Sequence, residues 1–439
     1  MTLGFLMVLG SGLAGSRSIT LWPLLPLLSF AISLLILHVT LVWWRFRGDQ
    51  ILLGTVAFLS ALGLLAQYRM GAFDTADPWA PTHYLFPAGV LLMLTVAVAG
   101  MRGRYHWLAA SVWIWAGLSL ALVAVVLVTG QRFRGGVYGV GFITPTEILK
   151  VTVVLFLAGF IDRHAKSLGK WGQGVPVPPL RALLPLIVFW VLLTALLLLQ
   201  RDLGLFLILS LALLALLFLG TARLGYLLYG MLAAAGLGYL LLNFFLHGQR
   251  RIRAWQAPFE DPTGGSWQIL QGLSGMYSGG LWGEGFGKGN PEYTPIAASD
   301  FVYSVIGEEL GFLGTAIVVV FFLVLFNRGL RIAYQARSSY GMLVGAGLTT
   351  ILATQTFLNI GGVTKFVPLT GITLPFISHG GSSLLTGFLS VGLMLAISDG
   401  EASRGRRKRT PAKTRQPQTA SKRTPPKKSI RNAARKRTT

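Results

Sequence analysis

An acid, a group of arginines and a string of glycines share one polar stretch of this chain, residues 247–300. Asp261 precedes Pro262, and a residue before proline is biased away from helix, so its carboxylate is presented from a turn or extended backbone. Glu260 is adjacent, and Arg250, Arg251 and Arg253 lie just upstream. A carboxylate among apolar and aromatic groups, with its pKa raised, can take a proton as a general base. The plainer alternative is an Asp-Pro turn held by a salt bridge to one of those arginines. Further on, Gly279-Gly280-Leu281-Trp282-Gly283-Glu284-Gly285-Phe286-Gly287-Lys288-Gly289 repeats glycine around a single cation. Such a backbone can approach a ligand closely and aim amides at a phosphate. No strand precedes it, so it is neither a P-loop nor a dinucleotide fingerprint, and a flexible loop explains it equally well.

Three further sites put charge beside apolar runs. Arg201-Asp202 divides two of them, Glu147 and Lys150 share a helix face near the end of another, and Glu308-Glu309 opens a third. Ionisable residues within a membrane span are functional candidates. Here a Glu147–Lys150 pair, and a short turn whose side chains reach the interface, are the structural alternatives. The six His are scattered without metal-binding spacing. The absence of Cys excludes disulfide frameworks, thiolate metal sites and Cys nucleophiles.

The elements that must hold these groups are membrane helices. The chain is 53% hydrophobic and only 12% charged, about half the charge of a typical soluble domain. Charge-poor windows of roughly twenty residues, the length that crosses a bilayer core, recur along it. Eleven spans are predicted, at 24–44, 51–67, 84–100, 107–128, 146–161, 182–199, 203–219, 225–246, 301–327, 340–360 and 381–398. The fold class is therefore an all-α polytopic membrane protein. The apolar run 3–13 is too short to span. Alternate connections carry Arg45/Arg47, Arg102/Arg104, Arg163/Lys166/Lys170/Arg181, Arg223 and Arg328/Arg331/Arg337, which predicts a cytoplasmic location for them and an outer one for 247–300. The tail from Glu401 holds fifteen Lys/Arg against one acid, so +14 of the +23 net charge sits there. A tail of this kind after the last span fits a disordered cytoplasmic segment near anionic lipid better than a nucleic-acid arm. The Pro/Gly-rich 172–179 is expected to be a linker. The long polar stretch carries Trp255, Phe259, Trp267, Tyr277, Trp282, Phe286 and Tyr293, which disordered segments lack, so it is expected to be ordered.

Several motifs, in order, resemble the SEDS family (shape, elongation, division and sporulation), to which RodA and FtsW belong. They are Pro145-Thr146-Glu147 with Lys150, Gln200-Arg201-Asp202-Leu203-Gly204, and Asp261-Pro262-Thr263-Gly264 followed by Gln271. Gly279 to Gly283, Asp300-Phe301 with Gly307 to Gly311, and Pro368 to Ser383 complete the match, which runs from about residue 51 to 398. The resemblance implies a ten-span core, with span 24–44 as an amino-terminal addition within residues 1–50 and a tail at 399–439. It implies a peptidoglycan glycosyltransferase of the bacterial cytoplasmic membrane. Such an enzyme polymerises lipid II outside the membrane, releases undecaprenyl pyrophosphate, and works with a class B penicillin-binding protein and other elongation or division proteins.

The family's essential acid falls on Asp261, as base toward the acceptor hydroxyl. Substrate contacts are expected from Arg201, Arg251, Gln271, Gly279, Gly280, Lys288, Asp300, Glu308, Ser382 and Ser383. Of these, Arg201, Arg251 and Lys288 are expected to converge on the pyrophosphate. Glu147, Lys150, Asp202, Pro262, Gly264, Pro375, Gly380 and Gly381 are expected to shape the site. No permanently bound cofactor is expected, and a divalent cation (Mg or Mn) could assist the pyrophosphate, though no ligand set for it is visible. The chain departs from the family pattern at Arg201 (usually Pro), Thr146 (Ser), Ala298 (His) and His379 (Tyr). Thr370, where FtsW members often carry Lys, leans toward a RodA-like elongation role. A lipid-linked precursor flippase and a non-catalytic scaffold are the rival readings; an acid on the outer loop favours the enzyme.

Overall fold

The computed structural model describes residues 25–73, 80–130, 132–133, 136–137, 144–171, 178–244 and 246–409, with backbone alone for 132–133, 136–137, 239–244, 246–247 and 401–409. The run 3–13, most of the 172–179 linker and the tail beyond 409 lie outside the described residues.

All eleven predicted segments fall on helices. These are α1 (Leu25–Trp43), α2 (Gln50–Arg69), α3 (Pro81–Gly100), α4 (Val112–Thr129), α5 (Pro145–Leu168), α6 (Leu180–Gln200), α7 (Leu203–Thr221) and α8 (Leu224–Phe244). Two shorter helices, α9 (Leu246–Gln256) and α10 (Trp267–Gly279), then give the polar stretch its own framework. Three long helices follow: α11 (Val302–Gln335), α12 (Ser339–Val363) and α13 (Gly381–Arg409). A two-residue antiparallel pair, β1 (Arg132–Phe133) with β2 (Gly136–Val137), lies between α4 and α5. The predicted span 107–128 begins later than expected, because a 3-10 helix, Met101–Ala109, takes up its start.

Among the described residues, nine helices are long and apolar enough to cross a membrane, which makes this a multi-pass membrane protein. Helix α5 is not among them. Helix α5 carries Glu147, Lys150, Asp162, Arg163 and Lys166, yet it is buried almost continuously from Leu149 to Ile161. A helix enclosed by its neighbours can hold charge that a lipid-facing one cannot. It packs against α4, α7 and α12, and α12 packs in turn on α7 and α11.

Local chemistry sets the helix ends. Asp49 caps α2 by accepting from Leu52 N at 2.8 Å, and Ser338 caps α12 through Gly341 N at 3.0 Å. Pro81 and Pro145 sit in the first turns of α3 and α5, where a missing N–H costs nothing. Glycines let helices meet closely, as in many membrane bundles. A Cβ on Gly89 of α3 would enter the ring of Phe388 on α13. Gly89→Val should therefore destabilise the bundle by about 1–3 kcal/mol through overpacking. The expected result is a lower thermal midpoint in detergent, partly recovered by adding Phe388→Leu.

Candidate active site

Several expected residues meet at the end of the bundle that carries residues 247–300. In the first turn of α5, Lys150 Nζ lies 2.7 Å from Glu147 Oε2 and donates to Gln355 Oε1 of α12 at 2.9 Å. Gln355 Nε2 donates to the Thr373 carbonyl at 3.0 Å and to Ser383 Oγ at 3.2 Å, and Thr373 Oγ1 donates to Ser383 Oγ at 2.8 Å. Ser382 Oγ accepts from Thr144 N at 2.7 Å. Asp202 caps α7, accepting from Leu205 N at 2.9 Å. It lies within the field of Glu147, Lys150 and Arg251; burial pushes its carboxyl above the ordinary range, and the Glu147 charge adds to this.

Arg251, on α9, donates Nη1 to the Thr370 carbonyl at 2.8 Å. The next residue, Gly371, has φ +72°, and a Cβ there would lie 3.6 Å from Asp300 Oδ2 and 3.8 Å from Arg251 Nη2. Asn359 Nδ2 ties the two strands of this wall, donating to the carbonyls of Asp300 at 2.9 Å and Ile372 at 2.6 Å. The result is a polar cluster holding Lys150, Arg251, Glu147, Asp202 and Asp300, drawn from four separate parts of the chain. Gln355, Asn359 and Thr373 were missed by the sequence reading. The signal for the first two was available, as two amides four residues apart inside an apolar span.

Asp261 occupies a bend between turns, exposed, just before α10. Its Oδ2 accepts from Gly265 N at 2.7 Å, and its carbonyl accepts from Gly264 N and Ser266 N at 3.3 Å each. A Cβ on Gly264 would collide with both carboxylate oxygens, so glycine at 264 is what lets Asp261 hold this rotamer. Among the described residues no arginine pairs with Asp261. The salt-bridged turn is thus not what forms: Arg251 is directed to Thr370, while Arg250 and Arg253 are exposed.

The glycine string requires a correction. Its amides are not aimed at an open anion site. Helix α11 breaks at Gly311, with φ 67° and ψ −167°. The break frees the carbonyls of Glu308 and Glu309, which accept from Glu284 N at 2.9 Å and Gly285 N at 3.0 Å. It also frees the amides of Phe312 and Leu313, which donate to the carbonyls of Gly280 at 2.9 Å and Leu281 at 3.3 Å. Gly279 and Gly283 lie directly on the carbonyls of Gly307 and Glu309, where a Cβ has no room.

Glu308, expected at the substrate, is buried and accepts from Asn290 N at 2.6 Å. Glu309 pairs with Arg69 Nε at 2.6 Å, and Arg69 Nη2 donates to the Gly289 carbonyl at 2.6 Å. Gly279, Gly280 and Glu308 therefore fasten the loop to α11. Lys288 is exposed on this string, its stem against Gly285, and makes no contact with the Arg251 cluster. No hydrogen bond or ion pair joins Lys288 to Arg251 among the described residues. Arg201 is exposed in a left-handed cap (φ 64°) beside Asp202, and Gln271 is half-buried on α10. The hydroxyls of Ser382 and Ser383 are both engaged within the protein. Among the described residues no group of three or more His, Asp or Glu is placed to hold a metal ion.

A family model described as "Cell cycle protein", covering FtsW, RodA and SpoVE, matches residues 27–403. The chain belongs to this family. It is 33% identical over 371 residues to the peptidoglycan glycosyltransferase RodA of Mycobacterium tuberculosis, covering 80% of this chain and 78% of the relative. It is 32% identical over 367 residues to a probable peptidoglycan glycosyltransferase FtsW of Trichlorobacter lovleyi, covering 80% and 93%. A solved structure described as "Structural coordination of polymerization and crosslinking by a peptidoglycan synthase complex" matches with a TM-score of 0.62 and 27% identity. That match covers 81% of this chain and 98% of the other.

Two departures from the usual FtsW/RodA pattern touch each other. His379 N donates to the Ala298 carbonyl at 2.7 Å, and its Nδ1 faces Gln67 Oε1 at 3.2 Å. Burial pulls the His379 pKa down, so the ring is neutral at pH 7. Pro375 is buried in the same segment, Gly380 fits against Thr373, and Leu384 N returns to the Gly380 carbonyl as α13 starts at Gly381.

Asp202 offers a test of the cluster's construction. Asn keeps the cap on Leu205 and removes the half-buried charge, whereas Ala loses the cap at about 1 kcal/mol. A raised carboxyl pKa means that the folded state holds its proton more tightly than the unfolded state. This contribution to stability therefore falls as pH rises from the ordinary carboxylate range through the raised value, and is flat above it. Thermal midpoints across pH should show that decline in the wild type and not in Asp202→Asn, with Asp202→Ala lowest at low pH.

Proposed function

We propose that this chain is a peptidoglycan glycosyltransferase that polymerises lipid II, with Asp261 as the general base. The observation that carries the reading is the carboxylate itself: exposed, paired with no arginine among the described residues, and oriented by Gly264 and Gly265. In the reaction Asp261 takes the proton of the acceptor sugar hydroxyl. The hydroxyl oxygen bonds to the anomeric carbon of the donor, and the bond from that carbon to pyrophosphate breaks. Undecaprenyl pyrophosphate leaves with the electron pair. Fixed cations stabilise such developing charge because they need no reorganisation, and Lys150 and Arg251 are the ones the fold holds in place.

The names of the two relatives support this activity. Their near-equal identities do not divide elongation from division; Thr370, whose carbonyl takes Arg251, keeps the reading on the elongation side. The peptidoglycan synthase complex supports a class B penicillin-binding protein as partner. A flippase would place its charges near the bilayer midplane. Here they stand at helix ends: the first turn of α5, the α6–α7 turn and α9.

Asp261→Asn keeps the shape and the turn but cannot accept the proton. General-base catalysis is worth about 10²–10⁴-fold, so the folded variant should lose at least that much lipid II polymerisation. Polymerisation of labelled lipid II near the wild-type rate would refute the base assignment. Sidedness is checked separately in this Cys-free chain. A cysteine at exposed Thr263 should label from outside intact cells and one at Arg331 only after permeabilisation.

A further inference from the structure

We propose that the opposite end of the bundle holds a binding site for the phosphate of an anionic phospholipid, with its acyl chain lying along α1 and α2. The turn between α1 and α2, the last turns of α11 and the inner end of α13 enclose a cavity of about 440 Å³. Arg47, Asp49, Arg328, Gln335, Arg337 and Ser398 are among its lining residues, three guanidiniums against one carboxylate.

That carboxylate is already spent. Asp49 accepts from Leu52 N at 2.8 Å and pairs with Arg328 Nη2 at 2.5 Å and Nε at 2.7 Å. The turn is built to present Arg47. Gly48 lies against Ser398 and the Phe46 ring with no room for a Cβ. Ser398 Oγ accepts from Asp49 N at 3.0 Å, and buried Asp399 accepts from Arg47 N at 2.8 Å and Arg102 N at 3.3 Å. The Arg47 side chain is left exposed, and its guanidinium has no partner among the described residues. The forked donors of arginine match phosphate oxygens, and basic pockets between spans are where anionic headgroups bind.

Two observations choose a lipid over a soluble phosphate. Trp43, at the end of α1 four residues before Arg47, is 81% exposed, and Tyr334, next to the lining residue Gln335, is 89% exposed, as aromatic side chains are at headgroup level. Deeper along the same helices runs a second, apolar cavity of about 290 Å³, lined by Leu34, Ala57, Phe58, Ala61, Leu62 and Leu65. Phe58 lies nine residues beyond Asp49, about 13 Å down α2. It stacks at 3.9 Å on Phe321 of α11, the helix that carries Arg328. A charged pocket at the interface with an apolar groove beneath it has the layout of a phospholipid.

The test is native mass spectrometry and thermal shift on the purified full chain with phosphatidylglycerol, chain-matched phosphatidylethanolamine, short-chain phosphatidylglycerol and inorganic phosphate. Long-chain phosphatidylglycerol should be retained and should raise the thermal midpoint above the other three. Arg47→Gln and Arg337→Gln should each weaken it about fivefold. Arg331→Gln, exposed on the same helix but outside the cavity, should not. Equal loss with Arg331→Gln, or equal retention of phosphatidylethanolamine, would overturn the site. Displacement by inorganic phosphate without dependence on chain length would overturn the lipid assignment in favour of a soluble anion. None of these readouts involves polymerisation, so the outcome is independent of the role given to Asp261.

Discussion

A membrane bundle tolerates no unsatisfied backbone, and this constraint organises the loop-bearing end of the protein. Gly311 interrupts α11 where two carbonyls and two amides lose their helical partners. Residues 280–285 supply replacements for all four. The glycines of the string are needed because the two backbones must come within hydrogen-bonding distance side by side. Once this splice forms, Glu308 and Glu309 are carried inward, where they gather the amides of Gly287 and Asn290 and the side chain of Arg69. A long polar loop thus becomes an extension of the bundle.

The polar cluster nearby follows a related rule. A buried Lys or Asp is tolerable only when neighbours satisfy it. Lys150 has Glu147 and Gln355, and Asp202 has its helix cap and the field of two cations. Asp261 stands apart from this pattern. It is exposed, and the hydrogen bonds to its carboxylate and carbonyl come from the backbone of its own turn.

Much of the fold was legible, because the hydropathy of apolar spans is a local property and the Lys/Arg alternation marks their ends. The non-helical turn at Asp261 was legible through Pro262, whose effect on the preceding backbone is also local. The glycine string was misread because its partner lies some 25 residues onward, and nothing within the string distinguishes a phosphate cradle from a strand awaiting a broken helix. Lys288 was grouped with Arg251 on charge alone. The arrangement depends instead on what each is fastened to: the backbone of the Lys288 string to α11, and the Arg251 side chain to the Thr370 carbonyl. The inner cavity was invisible for the same reason: Arg47, Arg328 and Ser398 are brought together only by the packing of α2, α11 and α13.

The interruption at Gly311 also divides α11 mechanically. As one continuous helix of 34 residues it would measure about 51 Å, far longer than a bilayer core of about 30 Å. Cut at Gly311, the portion from 312 to 335 is a strut of about 36 Å, close to what the bilayer requires with a slight tilt. Residues 302–310 belong in mechanical terms to the loop assembly. That assembly is nevertheless spliced to the strut, through the amides of Phe312 and Leu313 on the carbonyls of Gly280 and Leu281, and the strut is anchored at its far end by Arg328 and Asp49, so the loop is held to the bundle from both sides of the break.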